Sequence, residues 1–315
     1  MGILVFFNGI FLRIIGLVLA GILGLSSFSV SRSGPTFEAR DPANIRLSVS
    51  VFADLHMQGF FWSEFRLPMQ NFYQLAASLN DIGNAAQVPD ALVLLGDNTQ
   101  NGQRLEYVWL YGLLQRYNRV DDLFVVMGNH DLAIDRIGAR TGINRHNRFW
   151  RSYDRNMRGT EAFYSRVING YTLISLAADG PDNERQISDA QIAWLAETME
   201  NTPQDKPVFV FVHQHINANF PVGQFFPRAG EIREILEQYD NVFVFNGHWH
   251  HWVPLGLSTE NGVHYVNVPG LHSHIDYAYA GEGLQIEVYD DHVALRFRNF
   301  IAGEWLDEYF IVALV

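Results

Sequence analysis

Two spacings of apolar and polar positions run along this chain, and they mark out its elements. Arg46 to Ala53 reads as a strand, and Met69 to Ile82 repeats its apolar residues at helical spacing. Asp90 to Leu95 is a short buried strand, Arg104 to Tyr117 is helical, and Leu123 to Met127 is again a buried strand. Phe163 to Ala178 predicts two adjacent strands with a turn at Asn169-Gly170. Ser188 stands at a helix start, with Gln191 three residues later as in a capping box. Val208 to Val212 is a wholly apolar strand, Glu231 to Gln238 is helical, and Val242 to Phe245 is a strand. Beyond Trp252 the pattern changes to strands and turns. Alternating strand and helix argues a layered α/β fold, and the strand-rich tail argues a second sheet.

The first residues follow neither spacing. Residues 1–31 hold no acid and one base, Arg13. Ile14 to Leu25 is apolar or glycine throughout, and Ser26, Ser27, Ser29 and Ser31 follow. A short apolar region followed by small residues predicts a signal peptide over residues 1–31. Residues 3–25 also fit an uncleaved membrane anchor, with Arg13 snorkelling to the interface. Either reading places the protein outside the cytoplasm, secreted or held at a membrane. Residues 32–45 read as a polar linker, and residues 46–315 as the folded part.

At 315 residues and 48% hydrophobic, the chain has ample material for a large core. Its formal charge of −12 argues against a general attraction to nucleic acid. There is no cysteine, which excludes disulfides, thiolate nucleophiles and thiolate metal sites. Twelve histidines remain.

Those histidines gather where the strands stop. Successive strands run into Asp54-Leu55-His56, Gly96-Asp97-Asn98, Gly128-Asn129-His130-Asp131, His213-Gln214-His215 and Gly247-His248-Trp249-His250. In open α/β sheets the carboxyl ends of strands line the ligand crevice. Five such ends would bring Asp, Asn and His side chains to one place, a donor set suited to divalent transition metals. Asp-x-His alone carries little weight, since composition predicts it about 0.7 times by chance. Gly-His-x-His is expected roughly 0.04 times and Gly-Asn-His-Asp roughly 0.004 times, so their ordered occurrence after apolar strands is specific.

The ordered series resembles the calcineurin-like metallophosphoesterase superfamily over about Arg46 to His250. The resemblance implies a four-layer αββα sandwich of two mixed β-sheets flanked by helices, with residues 46–315 as the catalytic domain. It implies Asp54, His56 and His250 as ligands of one metal ion, Asn129, His213 and His248 as ligands of a second, and Asp97 as the bridge. His130 would stand beside the substrate, with Asp131 orienting it. His213 is preferred over His215 because it directly follows the strand. The family often has an Asp shortly after the Gly-Asp pair, where this chain has Asn98-Thr99-Gln100. Purple acid phosphatases place a tyrosine ligand three residues after the bridging Asp, and Gln100 stands there.

The implied activity is hydrolysis of a phosphomonoester or phosphodiester by attack of a metal-bridging hydroxide. Mixed nitrogen and oxygen donors suit two divalent ions among Mn, Zn, Fe and Co better than Mg. The substrate would be a small-molecule or lipid-headgroup phosphate ester rather than nucleic acid, with membrane attachment through residues 3–25. A non-catalytic binding module on the same fold and a metal-dependent nuclease are the alternatives.

Four further histidines, His215, His251, His272 and His274, are candidates for lining a substrate pocket. His146, His264 and His292 read as structural. Phe60-Phe61-Trp62 and Phe65 read as local packing in preference to an apolar wall for a substrate's leaving group. Ala139 to Arg158 carries six arginines and reads either as positive charge beside the cleft or as a solvated loop packed by Phe149, Trp150 and Tyr153.

Overall fold

The computed structural model describes residues 42–58, 66–132, 139–154, 161–179, 187–218, 226, 228–250, 257–272 and 281–315. The N-terminal segment, the aromatic run at residues 60–65, and His251 and His274 lie outside the described residues. No described helix is long and apolar enough to cross a membrane.

Two six-stranded sheets form the body. The first has strands β1 (Leu47–Phe52), β2 (Ala91–Leu95), β3 (Asp122–Val126), β10 (Glu282–Val288), β11 (His292–Asn299) and β12 (Glu304–Ala313). Their order is β12-β11-β10-β1-β2-β3, with β1, β2 and β3 parallel and the rest antiparallel. The second has β4 (Tyr164–Ile168), β5 (Tyr171–Leu176), β6 (Val208–Val212), β7 (Val242–Asn246), β8 (Leu257–Glu260) and β9 (Val263–Asn267). Its order is β4-β5-β6-β7-β9-β8, with β5, β6, β7 and β9 parallel.

Period-two side-chain alternation builds three cores from these sheets. Between the sheets lie Val49 and Val51 of β1, Val93 and Leu95 of β2, Phe209 and Phe211 of β6, and Phe243 and Phe245 of β7. On the outer face of the first sheet, Phe52, Leu92, Leu94 and Val125 pack against α1 (Arg66–Gly83), α2 (Arg104–Tyr117) and Trp150. On the outer face of the second, Val208, Val210, Val212 and Val244 pack against α5 (Asp189–Glu200) and α6 (Ala229–Leu236). The short α3 (Asn129–Leu132) and α4 (Ala139–Tyr153) complete the first helical layer. The layers read helix, sheet, sheet, helix, as the motif series implies.

Most predicted elements stand within a few residues of their expected bounds. The Ser188 cap is made, its Oγ accepting from Gln191 N at 3.1 Å. The reciprocal half of the capping box is not, because the Gln191 amide pairs with the backbone of Ala177. The arginine-rich stretch is corrected from loop to helix. Over Ala139–Tyr153 it buries Gly142, Ile143, His146, Asn147 and Trp150 on one side. Asparagine, histidine and glycine on that side hid the helical spacing, and Gly142 lets α4 approach the carbonyl of Leu132. Arg140 pairs with Glu161, and Arg145 donates to the Gly102 carbonyl at 2.7 Å. Arg140 thus makes a surface ion pair, and Arg145 ties α4 to the loop at Gly102.

Trp150 is fully enclosed between this helix and the sheet. Trp150→Ala is expected to lower the unfolding free energy by about 3–5 kcal/mol, the usual cost of deleting a buried indole. Urea denaturation of the two proteins side by side checks this.

Candidate metal centre

The parallel strands aim their carboxyl ends at one place, and the loops leaving them are tied together by backbone hydrogen bonds. After β1 and β2, Asp54 N donates to Gly96 O (3.1 Å), His56 N to Asp97 O (2.8 Å) and Met57 N to Asn98 O (3.1 Å). Across the sandwich, Gly247 N donates to His213 O (3.0 Å), and His213 Nδ1 lies 2.8 Å from the Leu95 carbonyl. That carbonyl only accepts, so His213 carries its proton on Nδ1 and turns Nε2 inward.

Two clusters of donor atoms result, each with its atoms within 4.8 Å of one another. One holds Asp54, His56, Asp97 and His250; the other holds Asp97, His213 and His248. Asp97 is common to both. Asn129 adds an amide oxygen that is buried with no hydrogen-bond partner among the described residues. Six of the seven side chains named from the sequence as candidate metal ligands fall in these two groups, with Asp97 in both. Mixed carboxylate, amide and imidazole donors with one shared carboxylate fit a pair of divalent transition metal ions.

The site is assembled at a conformational cost. Asp54, His56, Asp97, His248 and His250 all have positive φ, between 42° and 71°. Each such non-glycine residue costs of order 1–3 kcal/mol and persists only where its surroundings over-determine it. The motif glycines make room for ligands from other loops. A Cβ on Gly96, itself at φ +80°, would stand 2.5 Å from the His213 ring, and one on Gly128 would stand 2.1 Å from Asp97 Oδ1.

Electrostatically the centre is two carboxylates among imidazoles. Asp54 and Asp97 are 0% and 1% exposed. Burial pushes both carboxyls upward, but neighbouring His213, with His250 beside Asp54 and His56 beside Asp97, outweighs it and holds both well below the usual range. Burial lowers His213, yet Asp97 and Asp54 raise it to about 10. His250 is likewise lowered by burial but raised on balance by Asp54. Burial dominates at His56 and His248, pushed down to about 3 and about 4. The raised imidazoles thus offset the charge of the two carboxylates, while His56 and His248 stay neutral. His56 Nε2 and His250 Nε2 lie 2.9 Å apart, within hydrogen-bond distance.

His130 lies at the rim, 36% exposed, with Nε2 4.0 Å from Asp97 Oδ2. Its Nδ1 lies 2.7 Å from the Gln100 carbonyl, which fixes the proton on that nitrogen. The expected orienting role of Asp131 is corrected here. Asp131 is buried and turned away from the His130 ring, and accepts five hydrogen bonds. They come from Asn98 N and Nδ2, Thr99 N and Oγ1, and Gly128 N, at 2.8–3.1 Å. Its carboxylate ties the Asp97 loop to the Asn129 loop.

The pocket candidates also divide. His272 is 1% exposed with Nδ1 3.0 Å from Gln74 Oε1, a packing position in place of the pocket position expected. His215 is buried at 2% exposure, where burial and then His248 lower it to about 3. Its carbonyl accepts from Phe226 N at 2.7 Å. Asn71, Gln74 and the Gln100 carbonyl were not singled out from the sequence. The signal for the first two was present as polar residues on the apolar side of α1.

Two outcomes follow from this geometry. Asp131→Ala leaves buried donors of Asn98, Thr99 and Gly128 unpaired, and should cost about 3 kcal/mol or more in urea unfolding without metal. Metal loading must also displace protons. The raised His213 stabilises the metal-free fold fully below pH 6.5, and that contribution is lost as pH rises through about 10. A metal ion competes with the same proton, so its apparent affinity should rise with pH across this window. Calorimetric titration with Mn(II) at pH 7.5 should show enthalpies that differ between HEPES and PIPES, buffers of unequal ionisation enthalpy that bind the ion weakly. Equal enthalpies in both would mean that no proton is released.

The comparisons with known proteins agree with this geometry. No curated protein matches the chain in sequence. Among solved structures, a dimetal phosphatase from Danio rerio superposes with a TM-score of 0.61 at 12% identity, covering 86% of this chain and 100% of that one. A purple acid phosphatase from yellow lupin (Lupinus luteus) also superposes at 0.61 and 12% identity, over 85% of this chain. The match spans 53% of the lupin protein. At these identities the likeness shows the fold alone. The profile described as calcineurin-like phosphoesterase matches residues 47–252, which enclose all the strand-end motifs and both donor clusters, and the chain belongs to that family of phosphate-ester hydrolases.

Proposed function

We propose that this protein is an exported dinuclear metallohydrolase that cleaves a phosphomonoester or phosphodiester. The observation that carries the reading is the pair of donor clusters sharing Asp97, with His130 standing beside them at the rim. Two bound dications would supply Lewis acidity toward phosphate oxygens and acidify a water for in-line attack. The donor set leaves that acidity largely intact. Asp54 and Asp97 contribute two negative charges, and Asn129 contributes a neutral oxygen, so a loaded centre keeps net positive charge for an anionic substrate.

The remaining residues act on protons and position. His130 presents Nε2 toward the centre because the Gln100 carbonyl holds Nδ1. In its protonated form it can deliver a proton to a departing alkoxide or phenolate oxygen, a role typically giving 10²–10⁴-fold. The neutral rings of His56 and His248 are ready to ligate, since burial keeps them unprotonated at neutral pH. Export is supported by the apolar run from Ile14 to Leu25 and the serines that follow it. The substrate we propose is a phosphate ester, soluble or on a lipid headgroup.

A paired assay tests the reading. Residues 32–315 are stripped of metal, then supplied with Mn, Zn, Fe or Mg, with p-nitrophenyl phosphate and bis-p-nitrophenyl phosphate as substrates. Metal-dependent turnover is expected, absent in Asp97→Ala and lowered in kcat by about 10²–10⁴-fold in His130→Ala. The ratio of the two substrates separates monoesterase from diesterase. Turnover that survives Asp97→Ala, or a folded chain that binds no metal, would sink the proposal.

A further inference from the structure

The buried side of α1 carries polar residues where an amphipathic helix normally carries apolar ones. Asn71, Gln74, Ser78 and Asp81 are all 9% exposed or less. Their spacing of three, four and three residues makes one stripe down the helix. Buried polar groups cost free energy unless they are paired, so such a stripe needs a physical reason. Asp81 has one, a two-point ion pair with buried Arg298 at 2.7 and 2.9 Å. Asn71 and Gln74 sit at the other end of the stripe, against the ligand loops.

Asn71 Nδ2 donates to the carbonyl of His56 at 2.6 Å and to that of Leu55 at 3.4 Å. Gln74 Oε1 lies 3.0 Å from His272 Nδ1. The segment that Gln74 anchors then reaches the other loops through its backbone. His272 N donates to Asp54 O at 3.3 Å, Leu271 N to Ala53 O at 2.8 Å and Gly270 N to His250 O at 3.2 Å. Asp54, His56 and His250 are the three ligands that belong to the first cluster alone. Each has its backbone carbonyl held either by Asn71 or by residues 270–272. None of these bonds reaches Asn129, His213 or His248.

We propose that Asn71 and Gln74 are positioning residues for one ion of the pair, the one held by Asp54, His56 and His250. The proposal rests on the dimetal reading of the site. The loop they hold needs such support, since Asp54 and His56 sit at φ 53° and 42°. Releasing the His56 carbonyl lets that backbone relax toward ordinary φ and swings the imidazole away from its neighbours. Ligand distances are tolerated only within about 0.2 Å, so a small swing weakens the ion. Groups that orient metal ligands typically change affinity by about 10–100-fold when removed.

The test uses the full chain and reads metal binding rather than turnover. Mn(II) is titrated into metal-free protein, with free Mn(II) followed by electron paramagnetic resonance. Wild type is compared with Asn71→Leu, Gln74→Leu and Ser78→Ala, the last a control on the same stripe away from the loops. Thermal melts of the metal-free proteins report folding. Wild type should bind two ions. Asn71→Leu should weaken one of them by about 10–100-fold and leave the other within about threefold, with the spin-coupled signal of the pair lost at intermediate Mn(II). Gln74→Leu should do the same through His272, and it carries the test if Asn71→Leu does not fold. Ser78→Ala should match wild type. Equal weakening of both ions, or no weakening in a folded variant, overturns the positioning role and leaves the dimetal reading standing. A folded wild type that binds no ion overturns both.

Discussion

A carboxylate wholly removed from water is one of the most expensive groups a protein can hold, and this fold holds two of them side by side. Asp54 and Asp97 are enclosed at the junction of the two sheets. Removing either charge from water costs several kcal/mol after relaxation, so neither is stable there without positive charge close by. Everything around them answers that demand. Histidines converge from the ends of β1, β6 and β7, and two of them hold protons more tightly than a free imidazole does. The centre is poised near neutrality with protons, and dications can take their place.

Holding these groups at the right positions requires a backbone that would not adopt its conformation unaided. Five of the seven candidate ligands sit at positive φ. The strain is over-determined by three separate restraints: ladder bonds running on past the ends of β1 and β2, the five-fold acceptor Asp131, and the underside of α1. The family signature reflects this division. The glycines clear space for ligands, the aspartate of Gly-Asn-His-Asp serves a neighbouring loop, and only part of each motif faces the chemistry.

The strands, the layer order and the convergence of Asp and His side chains were legible because each rests on a local pattern. Apolar runs of five residues mark buried strands, and the polar residues that end them mark the crevice. Less legible were relations between distant residues. Asp131 follows His130 directly, which suggested a pair, yet its carboxylate turns to Asn98 and Thr99, 33 and 32 residues earlier. His272 stands in a loop beside Pro269-Gly270, where exposure was a reasonable expectation, but Gln74 draws it inward. The helix over Ala139–Tyr153 was hidden because its buried side uses glycine, histidine and asparagine. In each case the deciding partner lies on another element, and spacing along one segment carries no trace of it.

The placement of β1 has a consequence for how the molecule can come into being. It lies in the middle of the first sheet, between β2 on one side and β10 on the other. Ser50 of β1 meets Gln285 of β10 across 235 positions of chain. Its parallel neighbour can join early, but its other edge stays open until nearly the whole polypeptide is available. The centre waits as well, since Asp54 cannot meet His248 until 194 further residues have followed it. Long-range pairings of this kind slow folding, because the entropy of closing the chain must be met before any contact repays it. Neither donor group is complete until His248 and His250 are in place, so assembling the site needs most of the chain.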